Sequence, residues 1–488
     1  MLYSKIISHN TLIMLSGRVI NLIITAVLIA LITRYLGVAG FGQYSTILSY
    51  ILLFGVLSDF GLHNTVTRKI ATSETEDRDQ ISRFYIFKII LSLIVYSTSV
   101  VIAWTLGYEN IIKIGITIFS VAGISTALFA FNSALYHGKL KVKQFVLADV
   151  IGRLIILIGV YFSIKNDLGL LGIISGYVAG DIFTYILSFI WLKKIIPFNF
   201  KTDFSWNHFI SIVKESFPLG IVMILTTIYF RSDIVVLSLL KPDFDVGIYG
   251  ASVKIIDIIL SFPVVFLAVT YPIMAIITKK DRLYFNQNLQ KIINFMLLSA
   301  TPIVIFGIIK SSQIIRIVAG YDFVNSSTVI FLGNNITTPT ILSILLIAVF
   351  FVFLHQVFYY MLIASGKQNI LLIPVILYVL LNVFLNIIFV PAYSYFASSV
   401  ITLLNEIIVL IVVYNLSKKI FEHRINFKIL LVSIISLLPS TLFLLATNQL
   451  FYGTIYSVIW QLFLALIIYL VMLYWFKVFN LKNLKKLV

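Results

Sequence analysis

The chain has 488 residues, of which 60% are hydrophobic and 11% charged, with a mean hydropathy of +1.06 and a formal net charge of +17. This composition excludes an ordinary soluble protein and describes a polytopic membrane protein, with no segment long and polar enough to form a separate soluble domain. The lack of cysteine excludes disulfides, thiolate metal sites and cysteine nucleophiles. The basic excess lies mostly in short loops between apolar runs, which suits membrane orientation and not nucleic-acid binding.

Crossing a bilayer takes about 20 apolar residues. Fourteen such runs are predicted, near 11–33, 42–62, 84–106, 112–135, 146–164, 170–192, 217–240, 247–276, 292–309, 340–365, 369–390, 394–415, 428–446 and 453–476. The first continues too far for a signal peptide and lacks a small-residue cleavage site, so it reads as a retained helix. Of the 36 Lys and Arg, 26 fall at the N-terminus, in the even-to-odd loops beginning with Arg68 to Lys88, and in the tail after Lys477. The opposite loops hold six, namely Arg34, Lys113, Lys165, Lys241, Lys310 and Arg316. The asymmetry predicts both termini in the cytoplasm of a multi-pass plasma (inner) membrane protein.

Two local echoes suggest an internal repeat. Phe41-Gly42-Gln43-Tyr44-Ser45 follows the first span and Val246-Gly247-Ile248-Tyr249-Gly250 follows the seventh, sharing Gly-x-Tyr; Gly138-Lys139 closes the fourth span and Gly366-Lys367 the tenth. Both pair a span with the one six later, as in transporters built from two parallel lobes around a central site. The predicted fold is therefore all-α and membrane-embedded, with a six-helix lobe at 1–192, a cytoplasmic linker at 193–216, a second six-helix lobe at 217–416, and two extra helices with a basic tail at 417–488. The linker carries Pro197, Phe198, Phe200, Phe204 and Trp206 and reads either as an interfacial segment or as a plain connector. The last two helices carry almost no buried charge and read as an appendage. The outer loop Lys310 to Thr338 holds sequons at Asn325 and Asn335, read as chance.

Several residues carry a family resemblance. Arg34-Tyr35-Leu36-Gly37 with Phe41-Gly42-Gln43-Tyr44-Ser45, then Ser58-Asp59-Phe60-Gly61-Leu62, then Arg231-Ser232-Asp233 leading to Val246-Gly247-Ile248-Tyr249, resembles the polysaccharide biosynthesis or Wzx-type oligosaccharide flippases. Their superfamily (MOP) also holds the lipid II flippases and the MATE drug exporters. The resemblance implies two six-helix lobes and a flippase, not an enzyme. Such a flippase moves a polyprenyl-diphosphate-linked oligosaccharide from the inner to the outer leaflet for O-antigen, capsule or exopolysaccharide assembly. It also implies membrane lipids, a polysaccharide polymerase and a chain-length regulator as partners.

The charges inside the spans give a reading of their own. A charge near the bilayer centre costs about 2.5–3.5 kcal/mol on insertion scales, so each needs a partner and a purpose. Arg18, Arg153, Arg231 and Lys254 are candidate substrate-binding cations, since a lipid diphosphate needs a wet cationic cavity and Arg binds phosphate oxygens bidentately. By depth, Arg18 and Arg153 lie near the cytoplasmic end, with Arg231 and Lys254 further out. Asp149 is spaced i, i+4 from Arg153 and forms an intrahelical pair. Arg231 and Asp233 point to nearly opposite faces, which leaves Asp233 to meet Lys254, while Asp257 lies at the height of Arg231. For Asp149, Asp233 and Asp257 simple neutralisation of the cations is the competing reading. Asp181 and Glu406, deep in the sixth and twelfth spans, are candidates for protonation or sodium binding and hence for coupling to a proton or sodium gradient, with Asn382, Asn386 and Asn405 as further oxygen donors. Interhelical hydrogen bonding is the alternative for both.

The six His, at 9, 63, 137, 208, 355 and 423, lack metal-ligand spacing, and no Gly-x-x-x-x-Gly-Lys loop is present. No metal, cofactor or ATP use is expected. Two readings compete with the flippase. A MATE-like drug/cation antiporter would favour an acidic cavity in the first lobe, where Arg18 and Arg153 offset Asp149 and Asp181. A membrane polymerase or glycosyltransferase would want a larger outer loop with clustered charges than residues 310–338 supply.

Overall fold

A computed structural model describes residues 2–63, 65–67, 78–196, 198, 206–277, 282–421, 425–447 and 455–476. In hydrocarbon every backbone N–H and C=O needs an internal partner, and a chain this apolar meets that demand with helix. In chain order the helices are α1 (Leu2–Asp59), α2 (Arg78–Thr105), α3 (Asn110–Gly138), α4 (Val142–Lys165), α5 (Gly169–Lys193), α6 (Trp206–Leu240), α7 (Asp243–Ile277), α8 (Arg282–Ile309), α9 (Ser311–Val318) and α10 (Asp322–Asn325). A hairpin of β1 (Val329–Phe331) and β2 (Asn334–Ile336) comes next, then α11 (Thr338–Ala364), α12 (Leu372–Ile420), α13 (Phe427–Thr447) and α14 (Ile455–Trp475). The interfacial reading of the linker falls largely on residues 199–205 and the basic tail on residues 477–488, both outside the described residues.

Among the described residues, 12 helices are long and apolar enough to cross a membrane. Two of these stretches, of 51 and 53 residues, are double. α1 breaks at Gly37 (φ 64) and α12 at Ser394 (φ 47), so the helices accommodate the fourteen predicted spans. Gly37 takes up the left-handed backbone freely. Ser394 does so at about 1–2 kcal/mol, and Pro391 in the preceding turn already removes a helical hydrogen bond.

The chain divides into two compact units, residues 1–250 and 251–488. In the first, α4 packs on α5 and α5 on α3, while α1 packs on α4 and α6. Glycine lets α4 and α5 approach closely: a Cβ on Gly159 would lie 3.0 Å from the Cα of Gly176. Tyr85, Phe131, Tyr136 and Leu192 form the buried centre of an aromatic cluster that Phe198 joins. In the second unit α11 packs on α12 and α8.

The last two helices are integral to that second unit. Leu437, Leu444, Ala465 and Tyr469 pack on Leu298 and Phe306 of α8, and the Tyr469 hydroxyl donates to the Leu298 carbonyl at 3.0 Å. Lys310, 1% exposed, donates to Gln461 Oε1 at 2.8 Å, and Gln461 donates in turn to the Thr447 carbonyl at 3.0 Å. Lys310 and Lys88, both assigned to loops by hydropathy, are therefore buried. Lys88 lies inside α2, donates to the Ser58 carbonyl at 2.7 Å and pairs with Asp59 at 3.4 Å.

Candidate functional site

In the first unit the glycine-mediated contact of α4 with α5 brings charged side chains together. Asn21 of α1 donates to Asp149 Oδ2 of α4 at 2.6 Å. The predicted i, i+4 pair is present but loose, with Arg153 Nε 4.0 Å from Asp149 Oδ1 and side chains 39% and 29% exposed. Asp181 of α5 lies within electrostatic reach of both Arg153 and Asp149. Tyr44 and Tyr177 close one flank, with ring centroids 6.0 Å apart and their hydroxyls hydrogen-bonded. Arg18 is exposed one turn before Asn21. The cluster thus combines three of the predicted charges, a reachable guanidinium and a ring of hydroxyl and amide donors.

Asn21 and Tyr177 escaped the sequence reading, and Tyr44 entered it only as part of the Gly-x-Tyr echo and the family motif, not as a site residue. Asn21 sits three residues after Arg18, a helical spacing that places the two on neighbouring positions of one face. Nothing local marks Tyr177.

Around the α6–α7 turn, Arg231 is half-buried. Asp233 is 7% exposed and accepts a hydrogen bond from the Tyr249 hydroxyl at 3.0 Å. The two Gly-x-Tyr echoes pack on each other here. A Cβ on Gly42 would overlap the Asp243 carbonyl and lie 2.9 Å from Gly247 N, and a Cβ on Gly247 would overlap the Val38 carbonyl. Gln43 hydrogen-bonds the Asp243 side chain. At the other end of the second limb of α1, the Phe60 and Phe217 rings lie 5.9 Å apart and Ser216 Oγ donates to Thr65 Oγ1 at 3.0 Å. This limb is therefore in contact with the 216–250 segment at both of its ends.

In the second unit Lys254 and Asp257 form an i, i+3 pair at 4.0 Å. Glu406, 3% exposed, meets a partner the sequence reading did not name: His355 Nε2 lies 2.7 Å from its Oε2. The two limbs of α12 are joined by polar side chains. Asn386 donates to the Asn382 carbonyl at 2.9 Å, and Ser398 Oγ donates to Asn386 Oδ1 at 2.8 Å. Asn405 is fully buried, and neither its Oδ1 nor its Nδ2 has a hydrogen-bond partner. An apolar cavity of about 460 Å³ lies between α7, α8, α11 and α14, lined by residues such as Ile259, Phe262, Pro302, Leu346, Leu466 and Leu470. No group of three His, Asp or Glu side chains suited to a metal ion occurs among the described residues.

The fold is shared with solved transporters. The chain aligns with a structure of the lipid II flippase MurJ in an inward closed conformation at TM-score 0.74 and 19% identity, covering 93% of this chain and 96% of that one. An inward-facing multidrug resistance MATE transporter of the MOP superfamily aligns at TM-score 0.64 and 14% identity, over 84% and 97%. The chain is thus a multi-pass, all-α membrane protein that shares its fold with these two structures.

The chain belongs to the polysaccharide biosynthesis protein family, whose sequence model matches residues 7–278. An uncharacterized membrane protein of Methanocaldococcus jannaschii is 24% identical over 408 residues, covering 79% of this chain and 92% of that one. A candidate O-antigen transporter of Shigella dysenteriae is 24% identical over 226 residues, covering 46% and 56%.

Proposed function

We propose that this protein is a flippase carrying a polyprenyl-diphosphate-linked oligosaccharide from the inner to the outer leaflet of the plasma membrane, for assembly of a cell-surface polysaccharide. The observation that carries this reading is the Arg153 guanidinium, 39% exposed within a membrane-length helix and only loosely paired to Asp149. A cation kept reachable at such depth is costly and serves an anion that must enter the hydrocarbon layer. Arg18 and Arg153 meet the diphosphate first in this scheme, and Arg231 and Lys254 later. The apolar cavity of the second unit suits a polyprenyl chain.

Asp149, Asp233 and Asp257 orient and neutralise the cations, while Asp181 and Glu406 carry the coupling proton or sodium ion. The lobes 1–192 and 217–416 are the moving bodies, with both termini cytoplasmic. Family membership and the shared fold support the scheme.

The test is a leaflet assay in cells with and without the gene. Spheroplasts producing the chain should expose the lipid-linked oligosaccharide to an impermeant lectin, and cells lacking it or carrying Arg153→Ala should hold it inside. Equal labelling in all three would end the proposal. A cationic-dye efflux defect with normal labelling would instead favour the drug-exporter reading.

A further inference from the structure

The hairpin between α10 and α11 has a construction that transport through the two units does not explain. Val329 pairs with Ile336 and Phe331 with Asn334, so the connection is the two-residue turn Leu332-Gly333, both at positive φ (50 and 76). Such turns favour Asn or Gly in the first position, where Leu has a disfavoured backbone conformation. Leu332 is 85% exposed, and Ile330 beside it 70%. The strands are nevertheless firmly held. The hydroxyl of buried Tyr395 accepts from the amides of Thr328 and Val329 at 3.0 and 3.2 Å and donates to the Ile336 carbonyl at 2.7 Å. A rigid base thus presents a bare apolar tip.

Its surroundings say what covers that tip. The first limb of α12 is part of a membrane-length helix, and its exposed side chains Leu377, Leu380, Phe384 and Ile387 form an apolar stripe of the kind that suits acyl chains. Tyr393, 43% exposed, lies at the end of that limb just before the kink at Ser394. The Phe331 ring lies 6.2 Å from Tyr393 and 4.8 Å from Phe396, so the hairpin packs on aromatic side chains where the two limbs of α12 meet, at the end of a membrane-length segment. Between Asp322 and Lys367 the chain has no Asp, Glu, Lys or Arg to repel a bilayer. On the approach to the hairpin, Arg316 lies 5.8 Å from the centroid of the exposed Tyr321 ring, the aromatic and basic pairing of a headgroup region.

We propose that the Ile330-Phe331-Leu332 tip is a membrane-interface anchor, seated at the boundary of lipid headgroups and acyl chains. It ties the ends of α11 and of both α12 limbs to one leaflet. This goes beyond the flippase reading and does not rest on it, since it holds for whatever substrate is carried.

The absence of native cysteine allows a single-site probe in the full chain in phosphatidylcholine nanodiscs. Leu332→Cys and Ile330→Cys labelled with an environment-sensitive nitrobenzoxadiazole dye should be quenched by lipid bearing a nitroxide near the carbonyl end of its acyl chain. Iodide should quench them roughly threefold less than the same dye at Asn325→Cys, as for a residue seated in the interface. Iodide quenching equal to that at Asn325, without nitroxide quenching, would place the tip in water and overturn the proposal. Protection from both quenchers would mean protein cover and overturn it as well. Because the dye is itself apolar, Leu332→Asn is combined with the Ile330 probe. Asn suits the turn and keeps the hairpin, so the Ile330 dye should move toward iodide; an unchanged dye would remove Leu332 as the anchor.

Discussion

The Cβ that Gly42 lacks would lie 2.9 Å from the amide nitrogen of Gly247, its counterpart in the second Gly-x-Tyr echo. Two glycines that look like a weak repeat in one dimension meet at a close helix junction in three. Backbone, not side chain, blocks any addition there. Gly42→Ala should therefore cost about 1–3 kcal/mol, as overpacking does, and lower the melting temperature in detergent. Gly107→Ala, with open space around it, should not.

The same junction supports a crosslinking prediction. Val38 packs on Gly247 and Asp243 on Gly42, which puts both at this junction, and a scan of Cys pairs at 38 and 243 and their neighbours should find a disulfide that stops export until reductant is added. Gly42→Ala should weaken that crosslink. Failure of this pair and its neighbours to crosslink would show that the junction is not a gate.

Arg153→Ala should abolish polymer export with little change in protein abundance. A loose, partly exposed pair contributes about 1 kcal/mol or less to stability, so a drop in export and not in yield separates substrate contact from scaffolding. Arg153→Lys should restore export only in part, because an ammonium lacks the bidentate fork. Asp233→Ala should show the opposite pattern, losing yield, since it removes a buried hydrogen bond from the Tyr249 hydroxyl to a carboxylate, worth about 1.5–3 kcal/mol.

Glu406→Gln keeps a side chain that can hydrogen-bond His355 but cannot carry a negative charge. Export in inverted vesicles should then lose its response to an imposed proton or sodium gradient while the protein remains folded. Variant vesicles that respond like the parent would assign the His355–Glu406 contact to packing alone.

Burial lowers the Lys310 ammonium pKa in the folded chain, and Gln461 is its hydrogen-bonded partner. In the unfolded chain the group binds its proton more tightly, so this residue makes stability rise with pH between the lowered folded value and about 10.4. Gln461→Leu removes the partner and should cost about 1–3 kcal/mol or more near neutral pH. Thermal melts of the variant against pH should show part of that loss recovered at alkaline pH. A pH-independent loss would mean that Gln461 acts through packing.

How much of this was legible in the sequence depends on range. Span length and apolarity are local quantities, so the fourteen spans, the breaks near Gly37 and Ser394 and the intrahelical pair Asp149–Arg153 could all be read from spacing, whereas the i, i+3 pair Lys254–Asp257 was not among the expected pairings. Lys88 and Lys310 were misplaced because hydropathy puts every Lys at a span end in water, whereas each here finds an acceptor on another helix. The appended look of the last two helices failed for a related reason. They lack charge, but Gln461 and Tyr469 carry the polar contacts that seat them.

The sequence by itself determined the class, the helical architecture and the family signature, because hydrophobic length and backbone hydrogen-bonding in lipid leave few other solutions. The tertiary structure alone decided which polar groups meet: Asn21 with Asp149 across 128 positions, His355 with Glu406 across 51, and the two Gly-x-Tyr echoes with each other. Contacts at such separations depend on helix crossing and rotation. These are set by small-residue packing such as Gly159 on Gly176, whose effect appears only once both helices are in place.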